Sequence, residues 1–256
     1  MKLFLPLRRA LLPLAFLSAV ALVPLETGAQ SNATRKEGQD VNSPEVRKVP
    51  GLKPNEHLLF NGWGLTPAGL QVPISDLALK MVVSPDKKML VAVCGGFSNT
   101  GLTLLDLAGK NVAQFLPLKE CWNGLAFSKD GKRIFVSGGD KGDLHVFNYA
   151  EGKASFDKSV KLVSEAVSVF LASIAVHPAS GRLYVCNEAN HEVWVLHPDT
   201  FALETTIPVG QHPHTCVFGA DKRHLYVSNW GSRSVSIVDT EKNRRVRDVT
   251  VGLRPN

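Results

Sequence analysis

The sequence predicts an all-β fold, a β-propeller built of four-stranded blades, on three observations. A unit of apolar strand, short turn and second apolar strand recurs four times along the 256 residues. The recurrences have the spacing of a propeller blade. Each copy is followed by a third, alternating strand and a polar turn. Hydrophobic residues at 44% and charged residues at 20% exclude wholesale disorder. A net charge of +6, with no basic block longer than runs such as Arg244-Arg245, does not indicate a nucleic-acid binder.

Taken in order, the chain opens with Lys2, Arg8 and Arg9, then an apolar run from Ala10 to Leu25, then Thr27 and Ala29 as small residues before a cleavage point. That order predicts a secretory signal over residues 1–29 and an exported protein, periplasmic or extracellular. Pro13 and Pro24 interrupt the run, which is short for a membrane span, and no later stretch could cross a membrane. Residues 30–54 are polar and lack an apolar period, so they read as a flexible linker. Residues 55–256 read as the propeller.

The repeat carries that reading. Equivalent positions Ser84, Ser128, His177 and Gly219 lie 44, 49 and 42 residues apart. Before each is an inner strand ending at Val83, Phe127, Val176 or Phe218. After each comes a turn with Pro, Asp or Gly, which presets the tight bend. Second strands follow at Leu90–Val93, Ile134–Ser137, Leu183–Asn187 and Leu225–Asn229. Third strands follow at Leu102–Asp106, Leu144–Asn148, Val193–His197 and Val235–Asp239. The fourth is clearest at Ala202–Val209. One blade cannot bury both faces, so the blades must stack around a central channel.

Leu183-Tyr184-Val185-Cys186-Asn187 and Leu225-Tyr226-Val227-Ser228-Asn229, with the connectors Val209-Gly210-Gln211-His212-Pro213 and Val251-Gly252-Leu253-Arg254-Pro255, resemble the YVTN-repeat (YncE-like) propeller family. The resemblance covers about residues 55–256. The first two repeats depart from it, at Val91-Ala92-Val93-Cys94 and Phe135-Val136-Ser137-Gly138. It implies a seven-bladed ring when complete, of which about four blades are present. The stretch Leu58–Val72 reads as outer strands without inner partners, and Val251–Asn256 repeats a connector that elsewhere opens a new blade. The ring is therefore expected to be incomplete at the C-terminus. Gly124–Lys132 and Ser228-Asn229-Trp230-Gly231 resemble exported propellers that precede a metal-dependent phosphoesterase domain.

The loops entering inner strands and the loops joining second to third strands share one propeller face. They place Trp122, Asn123, Asn187, Glu188, His212, His214, Asn229, Trp230, Arg254 and Asn256 around a funnel mouth, a candidate site for an unknown ligand or protein. The alternative is that these residues stiffen blade junctions, with Asn187 and Asn229 bonding nearby backbone. His212 and His214, at i and i+2 of an extended segment that Pro213 bends, are expected to point to opposite sides, and no Cys, Asp or Glu cluster stands beside them in sequence, so no metal site is assigned and no cofactor is expected in this chain. His177 and His224 fall in turns and are expected to be solvated. His197 stands where a third strand usually ends in Asp.

No nucleophile motif and no P-loop occurs, so no catalytic residue is assigned. Resemblance to lactonase-type propellers implies acidic and basic funnel residues, with Glu188 and Arg254 the best pair. Cys94, Cys121, Cys186 and Cys216 read as mostly buried thiols. Cys94 and Cys186 sit two blades apart, too distant for a bond. Three functional classes follow: a binding or scaffold propeller joined to a phosphoesterase, a lactonase-like hydrolase, and an interaction module without chemistry.

Overall fold

The computed structural model describes residues 72–96, 99–163 and 168–256. The signal, the linker and the outer-strand reading of residues 58–71 lie outside the described residues. Sixteen strands and no helix are present among those described. Blade 1 holds β1 (Ala78–Val83), β2 (Met89–Cys94), β3 (Gly101–Asp106) and β4 (Asn111–Pro117). Blade 2 holds β5 (Leu125–Phe127), β6 (Arg133–Ser137), β7 (Asp143–Ala150) and β8 (Lys153–Lys161). Blade 3 holds β9 (Leu171–Val176), β10 (Leu183–Asn187), β11 (Glu192–Leu196) and β12 (Leu203–Pro208). Blade 4 holds β13 (Pro213–Phe218), β14 (His224–Asn229), β15 (Ser234–Asp239) and β16 (Arg244–Thr250). Every sheet is antiparallel with each strand beside its sequence neighbour, so the architecture is four up-and-down blades of a β-propeller.

Sequence explains the depth of each strand. Second strands read as continuous apolar runs because neighbouring blades cover both their faces; all five residues of β10 are buried. Fourth strands are the outer edge. Every residue of β16 is exposed, and its Arg244, Arg245 and Arg247 discourage edge pairing.

The turns repeat one local device. After β1, the Asp86 carboxylate accepts from Lys88 N at 3.1 Å; after β5, Asp130 accepts from Lys132 N at 3.1 Å; after β13, Asp221 accepts from Arg223 N at 3.1 Å. The residue three beyond the repeat position adopts a left-handed φ in each of these turns: 59° at Lys87, 72° at Gly131 and 58° at Lys222. After β9, His177 Nδ1 takes the carboxylate's role, accepting from Ala179 N and Ser180 N at 3.1 Å. That imidazole also packs edge-on to Phe218, so it is less solvated than its turn position suggests, and burial pushes its pKa down. His224 likewise has a partner, Asp221, at 2.6 Å. The turns between third and fourth strands are capped by Asp106, Asp239 and His197, and His197 Nδ1 accepts from Asp199 N and Thr200 N at 3.3 Å. His197 therefore does the work of the Asp it replaces.

The core lies between blades. Val91, Leu104, Leu125 and Val136 join blades 1 and 2; Phe135, Val146, Ile174 and Leu183 join blades 2 and 3; Tyr184, Val195, Cys216 and Val227 join blades 3 and 4. Inner strands β5, β9 and β13 follow one another around the axis, and this arrangement brings the ends of distant repeats together.

Candidate functional site

Four loops on one face meet near the axis. Asn123 precedes β5, where Trp122 N donates to Ser137 O at 2.7 Å and fixes the approach. Its side chain is 8% exposed. Glu188 follows β10 and is held by its amide to Phe170 O at 2.9 Å. His214 sits at the start of β13, at the irregular register between Pro213 and Thr215. Trp230 follows β14, with its amide on His212 O at 2.9 Å.

These residues form one chain of contacts. His214 Nδ1 lies 2.7 Å from Glu188 Oε1. His214 Nε2 lies 2.9 Å from Asn123 Nδ2. An imidazole that donates from Nδ1 to a carboxylate carries its lone pair on Nε2, which here accepts from the Asn123 amide. The ring stacks on Trp230 with centroids 3.8 Å apart and planes at 27°. Trp230 Nε1 donates in turn to Asn256 Oδ1 at 3.0 Å. Orientation and packing of one imidazole are thus set by three different blades.

Four polar atoms of the mouth residues are buried and unpartnered: Trp122 Nε1, Asn123 Oδ1, Asn187 Nδ2 and Asn229 Oδ1. Such atoms cost free energy unless a ligand or water meets them. Two are donors and two are acceptors.

The remaining rim residues divide. Trp122 packs edge-on to Phe170 at 5.3 Å. Asn187 is fully buried, and its Oδ1 accepts from Phe170 N at 3.0 Å and Ala189 N at 3.2 Å. Asn229 is also fully buried but bonds side chains, Ser234 Oγ at 3.1 Å and Ser236 Oγ at 2.9 Å. His212 packs against His191 with ring centroids 5.0 Å apart. Extension alone does not turn the two histidines apart, because positions i and i+2 of a regular strand share a face; His212 lies outside β13 with φ of 52°, and its ring packs on His191 while that of His214 stacks on Trp230. Arg254 is exposed. The partner the structure gives Glu188 is His214, not Arg254, because the turn after β10 faces the start of β13 across the blade junction.

Sequence reasoning missed Lys80. This lysine lies on inner strand β1, yet its ammonium reaches blade 3, donating to Ser173 Oγ at 3.1 Å and Ile174 O at 3.4 Å. A lone charge inside the otherwise apolar run Leu79–Val83 is the signal that could have found it. Among the described residues no group of three His, Cys, Asp or Glu could hold a metal, and no helix is long and apolar enough to cross a membrane.

The fold defines the class: a β-propeller of four-stranded blades. The chain belongs to the SMP-30/gluconolactonase/LRE-like family, whose model matches residues 81–230. No curated protein matches significantly. Among solved structures, the periplasmic gluconolactonase PpgL of Pseudomonas aeruginosa is 19% identical with a TM-score of 0.56, over 70% of this chain and 55% of that one. A candidate 6-phosphogluconolactonase of Bacteroides uniformis is 18% identical, TM-score 0.54, over 69% and 55%. The hydrazine synthase of Kuenenia stuttgartiensis is 17% identical, TM-score 0.57, over 73% and 53%. The chain thus spans about half the length of these structures, and at such identities the likeness is one of fold.

Proposed function

We propose that this chain is an exported propeller hydrolase that opens a lactone at its axial mouth. The observation that carries the reading is the Glu188–His214–Asn123 chain, with links of 2.7 and 2.9 Å. Membership in a family whose model is described by gluconolactonase supports it. A carboxylate behind an imidazole fixes its tautomer and stabilises the imidazolium that forms on proton uptake. His214 Nε2 is then the atom that takes a proton from water as the water attacks the ester carbonyl. The Asn123 amide must yield Nε2 to that water, and its Nδ2 becomes free to donate to the substrate. Trp230 offers a flat apolar wall.

The test is hydrolysis of five- and six-membered sugar-acid lactones followed by acid release. Glu188→Gln and His214→Asn are each expected to lower kcat by about 100-fold or more. Equal kcat in the wild type and both variants would overturn the assignment.

A second reading rests on the same amide: His214 Nε2 already has a partner in Asn123. On this reading the mouth binds a ligand without chemistry, as part of the scaffold or interaction module that the YVTN resemblance implies. Its finer form is a seven-bladed ring joined to a phosphoesterase. Saturable lactone binding without turnover would select it, and DNA sequence beyond the Asn256 codon tests the phosphoesterase. Export, the signal over residues 1–29 and the linker over 30–54 remain part of both readings and are tested by fractionation and by N-terminal sequencing of the mature protein.

A further inference from the structure

A cleft opens on the face opposite the mouth, at the junction of blades 2 and 3. The turn joining β5 to β6 and the turn joining β11 to β12 meet there and leave a space of about 360 Å³ between them. Its walls include Lys129, Arg133 and Phe135 from blade 2 and Gly181, Pro198 and Asp199 from blade 3. That volume falls within the range of small-molecule pockets.

Arg133 is the centre of the cleft. Its guanidinium lies 5.5 Å over the Phe135 ring and 5.9 Å over the Phe201 ring. The side chain is only 26% exposed, so packing on the two rings fixes the fork. Nη2 donates to Asp199 Oδ1 at 2.9 Å, and the other N–H groups of the guanidinium have no partner among the described residues. The Asp199 side chain is 71% exposed and offers one oxygen only. The second carboxylate on the wall, Asp130, is occupied by its own turn, accepting from Ser128 Oγ at 2.6 Å and Lys132 N at 3.1 Å. Two further cations stand close by. Lys129 Nζ bonds Ala179 O across the junction, and the Lys158 ammonium lies 5.7 Å over the Phe201 ring with Asp157 at 3.8 Å.

We infer that this cleft binds a small organic acid, with its carboxylate on the Arg133 fork and its apolar body against Phe135 and Pro198. The contact with Asp199 carries the inference: a carboxylate of the chain already sits on one arm of the fork, held by one bond and open to water. A free carboxylate can take two parallel bonds from a guanidinium edge, which the single Asp199 oxygen does not. The fork is oriented before the ligand arrives, so little side-chain freedom is lost on binding. An acid seated here touches blades 2 and 3 at once and bridges their junction. The cleft is separate from the mouth and needs no lactone chemistry.

The test is a ligand-observed NMR titration of the full chain with benzoate, which joins one carboxylate to a flat apolar body. Benzamide, of the same shape without the charge, is the control. Benzoate is expected to bind saturably, and benzamide at least about 10-fold more weakly. Arg133→Gln is expected to weaken benzoate at least about 10-fold, and Arg133→Lys to weaken it too, because an ammonium has no fork. Asp199→Asn, at an exposed side chain, is expected to tighten benzoate about 2- to 5-fold by removing the competing carboxylate. His214→Asn at the mouth is expected to leave the affinity unchanged. No saturable benzoate binding, equal binding of benzamide, or unchanged affinity in Arg133→Gln would overturn the inference. So would unchanged or weaker binding in Asp199→Asn, and so would loss of binding in His214→Asn, which would place the acid at the mouth. A protein that turns over no lactone yet gives the expected pattern keeps the cleft, so failure of the hydrolase reading and failure of this site are told apart.

Discussion

At the residue scale, burial and partners decide what each histidine can do. His214 has a carboxylate on one nitrogen and an amide on the other, whereas His145 has its two nitrogens committed to the fold. His145 Nε2 lies 2.7 Å from Glu120 O and Nδ1 lies 2.6 Å from Ser159 Oγ. A carbonyl can only accept, so Nε2 carries the proton and Nδ1 accepts from the serine. Burial therefore holds the His145 pKa below its ordinary 6.5. A folded-state pKa below the unfolded value makes stability full above pH 6.5 and decreasing as pH falls through it, because the unfolded chain binds the proton first. His145→Gln removes that titration. Urea unfolding at pH 8 and pH 5 is expected to show the wild type losing more stability than the variant. A parallel loss in both would contradict the burial argument. His214 was legible in the sequence as a rim residue, but its partner was not. Glu188 is 26 residues away on another blade, and sequence places a residue on a loop without saying which neighbouring loop it faces.

At the element scale, a hydrogen bond local to one turn can be read from sequence, while one that crosses a junction cannot. The Asp and Gly positions after the inner strands predicted their turns because the bonds close within two or three residues. The same reasoning covers half of what Asn187 does. Its Oδ1 bonds Ala189 N nearby, but also Phe170 N, which is 17 residues upstream on the segment entering the blade's inner strand. Asn187 thus ties the ends of β9 and β10 together and sets where Glu188 leaves the strand. Asn187→Ala would leave two backbone donors short of a partner inside the blade, at a cost of about 3 kcal/mol in denaturant unfolding. If the rim depends on this tie, lactone turnover falls in the same variant with Glu188 and His214 intact. Asn229, at the matching place in blade 4, instead bonds Ser234 and Ser236 of its own third strand, so equivalent letters in a repeat do different jobs.

At the scale of the whole molecule, stability resides in the junctions, and the site depends on them. Asn123, Glu188 and His214 belong to blades 2, 3 and 4 or their entering loops, so their distances persist only while neighbouring blades stay docked. The repeat spacing made the stack legible, and the alternation of buried and exposed strands followed from it. The reach of Lys80 to Ser173, 93 residues away, did not, because the curvature that brings blade 1 to blade 3 is a property of the assembled stack. Phe135 offers the test. It is 1% exposed at the junction of blades 2 and 3, edge-on to Phe201 at 5.8 Å, with the Arg133 guanidinium 5.5 Å over its ring. Truncating it opens a cavity between blades rather than within one. Phe135→Ala is expected to cost about 3–5 kcal/mol. In a stack coupled only by nearest neighbours, weakening one junction also separates the unfolding of the blades on its two sides. Calorimetry should therefore show the wild-type transition broadening or splitting in Phe135→Ala. Phe156→Ala, which removes a ring 52% exposed, should leave a single transition at nearly the original temperature. A lower melting point with an unchanged, sharp single transition in Phe135→Ala would mean that the blades unfold as one unit whatever the strength of this junction. The mouth would then tolerate junction changes that a nearest-neighbour stack would pass on to His214.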